Sequence, residues 1–439
     1  MSTPFALTHV SVVTGDTAGT VRPDQTIVVD AHGRIELVGP TAEVELPAGL
    51  LRVDGTGKFV SPGLINAHAH LFADGKPLPA IYTRPRTTRY VAWFMRSPAG
   101  QALLRKRARE NATTQLHTGV TTMRTVGDVM YEVVTTRNAI ESGELTGPRL
   151  LPSGPLMAIT GGHGAPTIAL IGDDAQTARA NTRRNLQHGA EAIKISATGG
   201  VTDAIAVGYA GKPEMPEASM RAVCEEAHEA GVLVAAHAQS TEGVRAALRA
   251  GVDTIEHGSS MDEELIGLYL DNPASLRGRS AMIPTLQACL PLVKLDPSIS
   301  GATEIVRENA KLVLEEMLSG IRSAAEHGIL LGVGTDSGVS YVTHSNFWRE
   351  MDLTARYAGL DPAAVLSAAT RGNAEILGLT QVTGEITPGR DADLVVTEAN
   401  PLEGFRTFSA PWMVVARGER IVHPEVSRIA EIDAHLDTL

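Results

Sequence analysis

Residues 230–257 read AGVLVAAHAQSTEGVRAALRAGVDTIEH. Ala230-Gly231 and Ala250-Gly251 each close a helical pattern, and the apolar runs that follow each end on a histidine, His237 and His257. Glycine is the residue expected where a helix stops in a left-handed turn, so each unit reads as helix, glycine, buried strand. The unit recurs in His117-Thr-Gly119 before VTTMRTV, His188-Gly189 before AEAIKIS, and His327-Gly328 before ILLGVGTD. Adding Leu64–His70, Leu150–Leu156 and Ala281–Leu286 makes eight strands alternating with helices. Such alternation means parallel strands with crossover helices, and eight of them predict a (β/α)8 TIM barrel, an α/β fold, over residues 58–375.

The two ends of the chain have another texture. Leu7–Val13, Thr26–Asp30, Arg34–Val38 and Leu51–Val53 read as short strands, with Gly15, Gly33 and Gly39-Pro40 as breakers. Ala392–Val396 and Met413–Ala416 read the same way. Residues 1–57 and 376–439 are therefore expected to pair into a small β-sandwich domain flanking the barrel.

The glycines also act as a ruler. His237 lies six residues past Gly231 and His257 six past Gly251; Lys194 lies five past Gly189 and Asp336 eight past Gly328. Similar offsets place these side chains near the C-terminal ends of their strands, the catalytic face of such barrels. His68 and His70 close the first strand, and a two-residue spacing puts both on one face.

These six residues, His68, His70, Lys194, His237, His257 and Asp336, form a ligand set for two divalent metal ions. Nitrogen and oxygen ligands without cysteine suit a catalytic zinc site rather than a structural one. Two metals need a bridge. Lys194 lies in the apolar run Ala192-Ile-Lys-Ile195, and burial favours the uncharged amine, which can react with CO2 to give a bridging carbamate.

Bulk properties agree with an ordinary enzyme. The 439 residues are 43% hydrophobic and 20% charged, with net charge −12. An acidic chain without long basic runs argues against nucleic acid and anionic membranes as partners. Cys224 and Cys289 make neither a disulfide framework nor a thiolate metal site. No leader pattern opens the sequence and no window reaches 18 uninterrupted apolar residues, so a cytoplasmic location is expected. Gly332-Val-Gly-Thr-Asp-Ser-Gly338 lacks the spacing of a dinucleotide loop, and no GxSxG supports a serine hydrolase.

On Pro62-Gly-Leu-Ile-Asn-Ala-His-Ala-His70, Lys194, His237, Ile255-Glu-His-Gly258, Gly332-Val-Gly-Thr-Asp336 and the tail Gly384–Val395, the chain resembles the binuclear amidohydrolase superfamily. The resemblance implies His68, His70 and Asp336 on one metal and His237 and His257 on the other. Lys194 and a hydroxide would bridge them. Thr160-Gly-Gly-His-Gly164 and Ile193–Val201 resemble a narrower group that hydrolyses dipeptides or N-acyl amino acids, prolidase-like or Xaa-Arg carboxypeptidase-like, and in some members xenobiotic amides.

The mechanism expected is attack of the metal-bridging hydroxide on a linear amide carbonyl. Asp336 takes the proton and returns it to the leaving amine, and His163 helps polarise the carbonyl. His163 and Tyr209 are candidate substrate contacts; the bland alternatives are a turn histidine and a loop tyrosine. Cyclic-amide hydrolysis or deamination on the same scaffold is the first rival, and a non-catalytic scaffold protein the second. The partners expected are a small amide or dipeptide and, from the large loops, a second copy of the chain. Residues 73–100, with Tyr82, Arg84, Arg86, Arg89, Tyr90, Trp93 and Phe94, read either as a substrate-contacting lid or as a solvated loop. Arg105, Lys106 and Arg107 read as a solvated helix face, and His117, His188, His228 and His327 as helix-end residues facing the helix dipole.

Overall fold

The computed structural model describes residues 3–77, 85–165 and 167–439. Its strands, in chain order, are β1 (Phe5–Val13), β2 (Val21–Val29), β3 (Ile35–Pro40), β4 (Leu51–Asp54), β5 (Phe59–Pro62), β6 (Leu64–Ala69), β7 (Val120–Thr125), β8 (Arg149–Leu151), β9 (Leu156–Ala158), β10 (Ala169–Ile171), β11 (Ala192–Ser196), β12 (Leu233–Ala238), β13 (Thr254–His257), β14 (Ala281–Ile283), β15 (Leu330–Leu331), β16 (Leu394–Thr397), β17 (Met413–Ala416) and β18 (Glu419–Val422).

The middle of the chain alternates strand and helix, as the glycine-punctuated units predict. β6, β7 and β8 form a parallel three-stranded sheet. A second parallel sheet runs β10-β9-β11-β12-β13-β14-β15. Every residue of β6, β7, β11, β12 and β13 is buried. That is the mark of parallel strands covered on both faces. Helices such as Thr241–Ala250 and Glu304–His327 supply the cover, packing Val244, Leu248, Met317 and Ile321 against Val234, Ala236 and Ile255. Both helices end on a left-handed glycine, Gly251 (φ +99) and Gly328 (φ +70), a conformation that a side chain would disfavour.

Backbone hydrogen bonds also join the two parallel sheets. The N–H of Glu191 donates to Pro152 at 2.7 Å, and on the other side Ala67 donates to Val333 at 3.1 Å and His70 to Ser337 at 2.8 Å.

Three strands depart from expectation. The expected strand Leu150–Leu156 is split into β8 and β9 by Pro152-Ser-Gly-Pro155; prolines have no N–H to pair, and Gly154 turns the chain at φ +67. The strand expected over Ala281–Leu286 stops at Ile283, before Pro284, and a helix starts at Leu286. The last strand is regular only over Leu330–Leu331; beyond it, Gly332 and Gly334 lie so close to Asn373 and His68 that a Cβ would not fit.

Strands from both ends of the chain pair directly. β16 runs antiparallel to β5, and β5 parallel to β1, within one sheet of order β18-β17-β16-β5-β1-β2-β3, with β4 also on β1. Phe5, Leu7, Ile27 and Val29 share one apolar cluster with Leu394, Val396, Met413 and Val415. β5 and β18 carry no strong sequence signal.

Within residues 73–100 the helix Pro85–Arg96 is followed by the helix Pro98–His117. Tyr82 and Arg84 lie outside the described residues. Tyr90 and Trp93 are 75% and 73% exposed, and Arg96 donates to the carbonyl of Thr167. Arg107 is not simply solvated: it is half-buried, and its Nη1 donates to Phe72 O at 3.4 Å. His117, His188, His228 and His327 do lie at helix ends, and His228 pairs with Asp253 at 2.9 Å. Among the described residues, no helix is long and apolar enough to cross a membrane.

Candidate active site

The strand ends bring the expected residues together. His68 and His70, both on β6 or just past it, direct their Nε2 atoms at one oxygen of Asp336, at 3.3 and 2.9 Å from Oδ1. His257 Nε2 lies 2.9 Å from His237 Nδ1, and the rings of His68 and His257 are 5.2 Å apart. His68, His257 and Asp336 each offer a ligand atom within 4.8 Å of the others, a group able to hold a metal ion.

Each ring is also held from behind. His70 Nδ1 donates to Gly127 O at 2.9 Å, His237 Nε2 faces Gly199 O at 3.3 Å, and His257 Nδ1 faces Thr285 Oγ1 at 2.7 Å. Such outer contacts fix which nitrogen is left to face a metal. His257 and Asp336 stand in the left-handed region, at φ +72 and +61. Strained non-glycine residues of this kind cluster at functional sites.

Lys194 Nζ is buried and has no hydrogen-bond partner among the described residues. Burial pushes its amine down to about 8, against the attraction of Glu256 and Asp336. Burial likewise keeps His237 and His257 well below the usual imidazole range. Burial alone would raise Asp336, but the facing His68 and His70 outweigh it and hold the carboxyl well below its ordinary value. Neutral imidazoles, an ionised carboxylate and an unpartnered amine that is easily deprotonated are the states metal ligands require. The donor set therefore fits divalent cations.

His163 also reaches this cluster. Its ring stacks on His237 with centroids 4.1 Å apart, its Nδ1 lies 2.6 Å from Asp203 Oδ2, and its backbone N–H donates to Glu214 at 2.8 Å. Burial lowers its basicity, but Asp203 more than compensates. Tyr209 sits on the loop after β11, packed over Gly199 and beneath the ammonium of Lys212.

Two charged residues escaped the sequence reading. Arg124 and Glu256 are fully buried and pair at 2.7 Å between Nη2 and Oε1. Arg124 also donates to Ala67 O and Thr254 Oγ1, while Glu256 Oε2 lies 2.7 Å from His68 Nδ1. The available signal was a charge inside an otherwise apolar strand: Arg124 in VTTMRT of β7 and Glu256 in TIEH of β13.

Known proteins resemble this chain in sequence and fold. A solved structure from Bifidobacterium longum, assigned as a prolidase, is 50% identical with TM-score 0.88, covering 100% of this chain and 99% of that one. A Xaa-Pro dipeptidase solved with bound methionine in its active site is 26% identical with TM-score 0.81, over 95% of this chain and 100% of that one. Ochratoxinase of Aspergillus niger is 25% identical over 404 residues, 84% of this chain and 77% of the relative. Residues 59–426 match the family description "Amidohydrolase family", most of the length of the chain, and the chain belongs to that family.

Proposed function

We propose that this protein is a metal-dependent amidohydrolase that cleaves a linear amide bond, in a dipeptide or an N-acyl amino acid. The observation that carries the reading is the convergence of His68, His70, His257 and Asp336 beside the unpartnered amine of Lys194. The likeness to proteins named prolidase, Xaa-Pro dipeptidase and ochratoxinase supports amide substrates.

His68, His70 and Asp336 would hold one zinc ion and His237 and His257 a second, with a carbamate on Lys194 shared between them. When bound, two such cations supply a nucleophile from water at neutral pH and polarise the scissile carbonyl. Asp336 keeps Oδ1 toward the histidines and takes the proton of the nucleophile on Oδ2. It then passes that proton to the leaving amine nitrogen. His163, with Nδ1 engaged by Asp203, presents Nε2 to the substrate carbonyl, and Tyr209 borders the substrate from the loop after β11.

In the same reading β6, β7, the split strand β8–β9 and β11 to β15 close into an eight-stranded barrel within residues 58–375, with β10 outside the eight, flanked by a β domain of residues 1–57 and 376–439 that β5 joins. The hydrogen bonds Glu191 to Pro152 and Ala67 to Val333 support closure. A closed barrel explains why ligands from strands so far apart in sequence share one end.

The test is amine release from dipeptides, N-acyl amino acids and cyclic amides by protein prepared with zinc and bicarbonate. Lys194→Ala and Asp336→Asn run in parallel. The wild type is expected to turn over linear amides, with turnover falling by about 10²–10⁴-fold in Asp336→Asn, the scale of a positioned acid–base group, and at least as far in Lys194→Ala. Turnover confined to rings or aminated heterocycles would move the assignment to a cyclic-amide hydrolase or deaminase.

A further inference from the structure

Asp336 occupies a left-handed conformation at φ +61, which a non-glycine residue keeps only where its surroundings over-determine it. Those surroundings are a directed chain of buried hydrogen bonds. Asn66 accepts through Oδ1 from the backbone N–H groups of His68 and Thr335, each at 3.2 Å. Its Nδ2 must then donate, and it does so to Thr335 Oγ1 at 2.9 Å and to Gln115 Oε1 at 3.0 Å.

That bond sets the orientation of Gln115. With Oε1 accepting, Nε2 donates to Ser337 Oγ at 2.8 Å and to His344 Nδ1 at 3.0 Å. An accepting Nδ1 leaves the proton of His344 on Nε2, which donates to Ala73 O at 2.7 Å. Burial keeps this imidazole neutral, pushed down to about 4. Flipping either amide would set N–H against N–H, so the polarity of the whole chain follows from the backbone. Asn66, Gln115, Ser337 and His344 are all buried, so no water replaces a lost partner cheaply.

We propose that Gln115 is a positioning residue for Asp336. From the helix Pro98–His117 it holds Ser337 directly and Thr335 through Asn66, the residues on either side of Asp336. So held, the carboxylate stays turned toward His68 and His70. This deepens the proposed function and rests on its assignment of Asp336.

Two variants test it in the full-length protein. Gln115→Glu keeps the acceptor for Asn66 but offers Ser337 and His344 no donor, at nearly unchanged volume. Gln115→Met removes all three bonds without adding charge. In each, with the linear amide that the wild type cleaves best, kcat is expected to fall at least 30-fold while KM changes less than threefold. The affinity of the metal-free protein for Zn2+, measured by competition with a chromophoric chelator, is expected to fall at least tenfold. Either folded variant with wild-type kcat and wild-type Zn2+ affinity overturns the proposal, whatever its melting temperature, since a merely structural role would move only the latter. Asp336→Asn is the control for the underlying reading. If it retains turnover, the proton-carrier role fails, and the Zn2+ affinity of the Gln115 variants still decides whether Gln115 holds Asp336 in place.

Discussion

His68 and Glu256, 188 residues apart in sequence, meet with Nδ1 2.7 Å from Oε2 in the interior of the parallel strands. Burial opposes ionisation of Glu256, but Arg124 first, then Lys194 and His68, outweigh it and hold the carboxyl well below the usual range. An ionised carboxylate only accepts, so Nδ1 of His68 carries a proton toward Glu256, and Nε2 is the nitrogen that faces Asp336 and the metal position.

Removing Glu256 should therefore have two separable effects. Glu256→Leu strands the fully buried Arg124 and is expected to cost about 3–5 kcal/mol, read from urea unfolding. Arg124→Leu/Glu256→Leu should recover much of that stability, because no unpaired charge remains. It should not recover zinc affinity, expected to stay about 10–100-fold weak while His68 lacks its partner. Equal stability of the single and double variants would refute the ion-pair argument.

Asp203 should matter through His163. The pair is close, at 2.6 Å, yet the Asp203 side chain is 45% exposed, so its value lies in orientation rather than stability. Asp203→Asn is expected to lower kcat/KM by about 100-fold, the order of a displaced polarising group, with the unfolding midpoint and zinc content unchanged. An unaltered kcat/KM would mean that stacking on His237 alone orients the ring.

Glu350 predicts a pH dependence of stability. It is fully buried and accepts from the N–H groups of Leu286 and Gln287, at 2.6 and 2.8 Å, at the start of the helix Leu286–Lys294. Burial pushes it up to about 8 from 4.5, against those two hydrogen bonds. A raised carboxyl adds stability that is complete below 4.5 and is lost as pH rises toward 8. The loss is on the order of 5 kcal/mol at most. Metal-free wild type should thus lose stability between pH 5 and 8 relative to Glu350→Gln. Parallel urea curves for the two proteins across that range would count against a protonated Glu350.

Much of the site was legible from local pattern. His237 and His257 share an offset from a helix-ending glycine, and β12 and β13 do carry them to neighbouring positions, with Ala238 paired to His257. Helix ends and buried strands depend on residues within one or two turns of each other, so spacing reports them. The pattern misled where backbone chemistry intervened, as at Pro152-Ser-Gly-Pro155 and at Pro284, where missing N–H groups ended the strands early.

The sequence by itself determined the alternation of strand and helix, the six candidate ligands and the strand ends that carry them, because each is written in short-range periodicity. Only the tertiary structure decided what those residues lean on. Arg124 reaches Glu256 across 132 positions, Asn66 reaches Thr335 across 269 and Gln115 reaches His344 across 229. No period links such pairs. They exist because packing excludes water around β6, β7 and β13, and a polar group buried there must find its partner wherever the fold brings one.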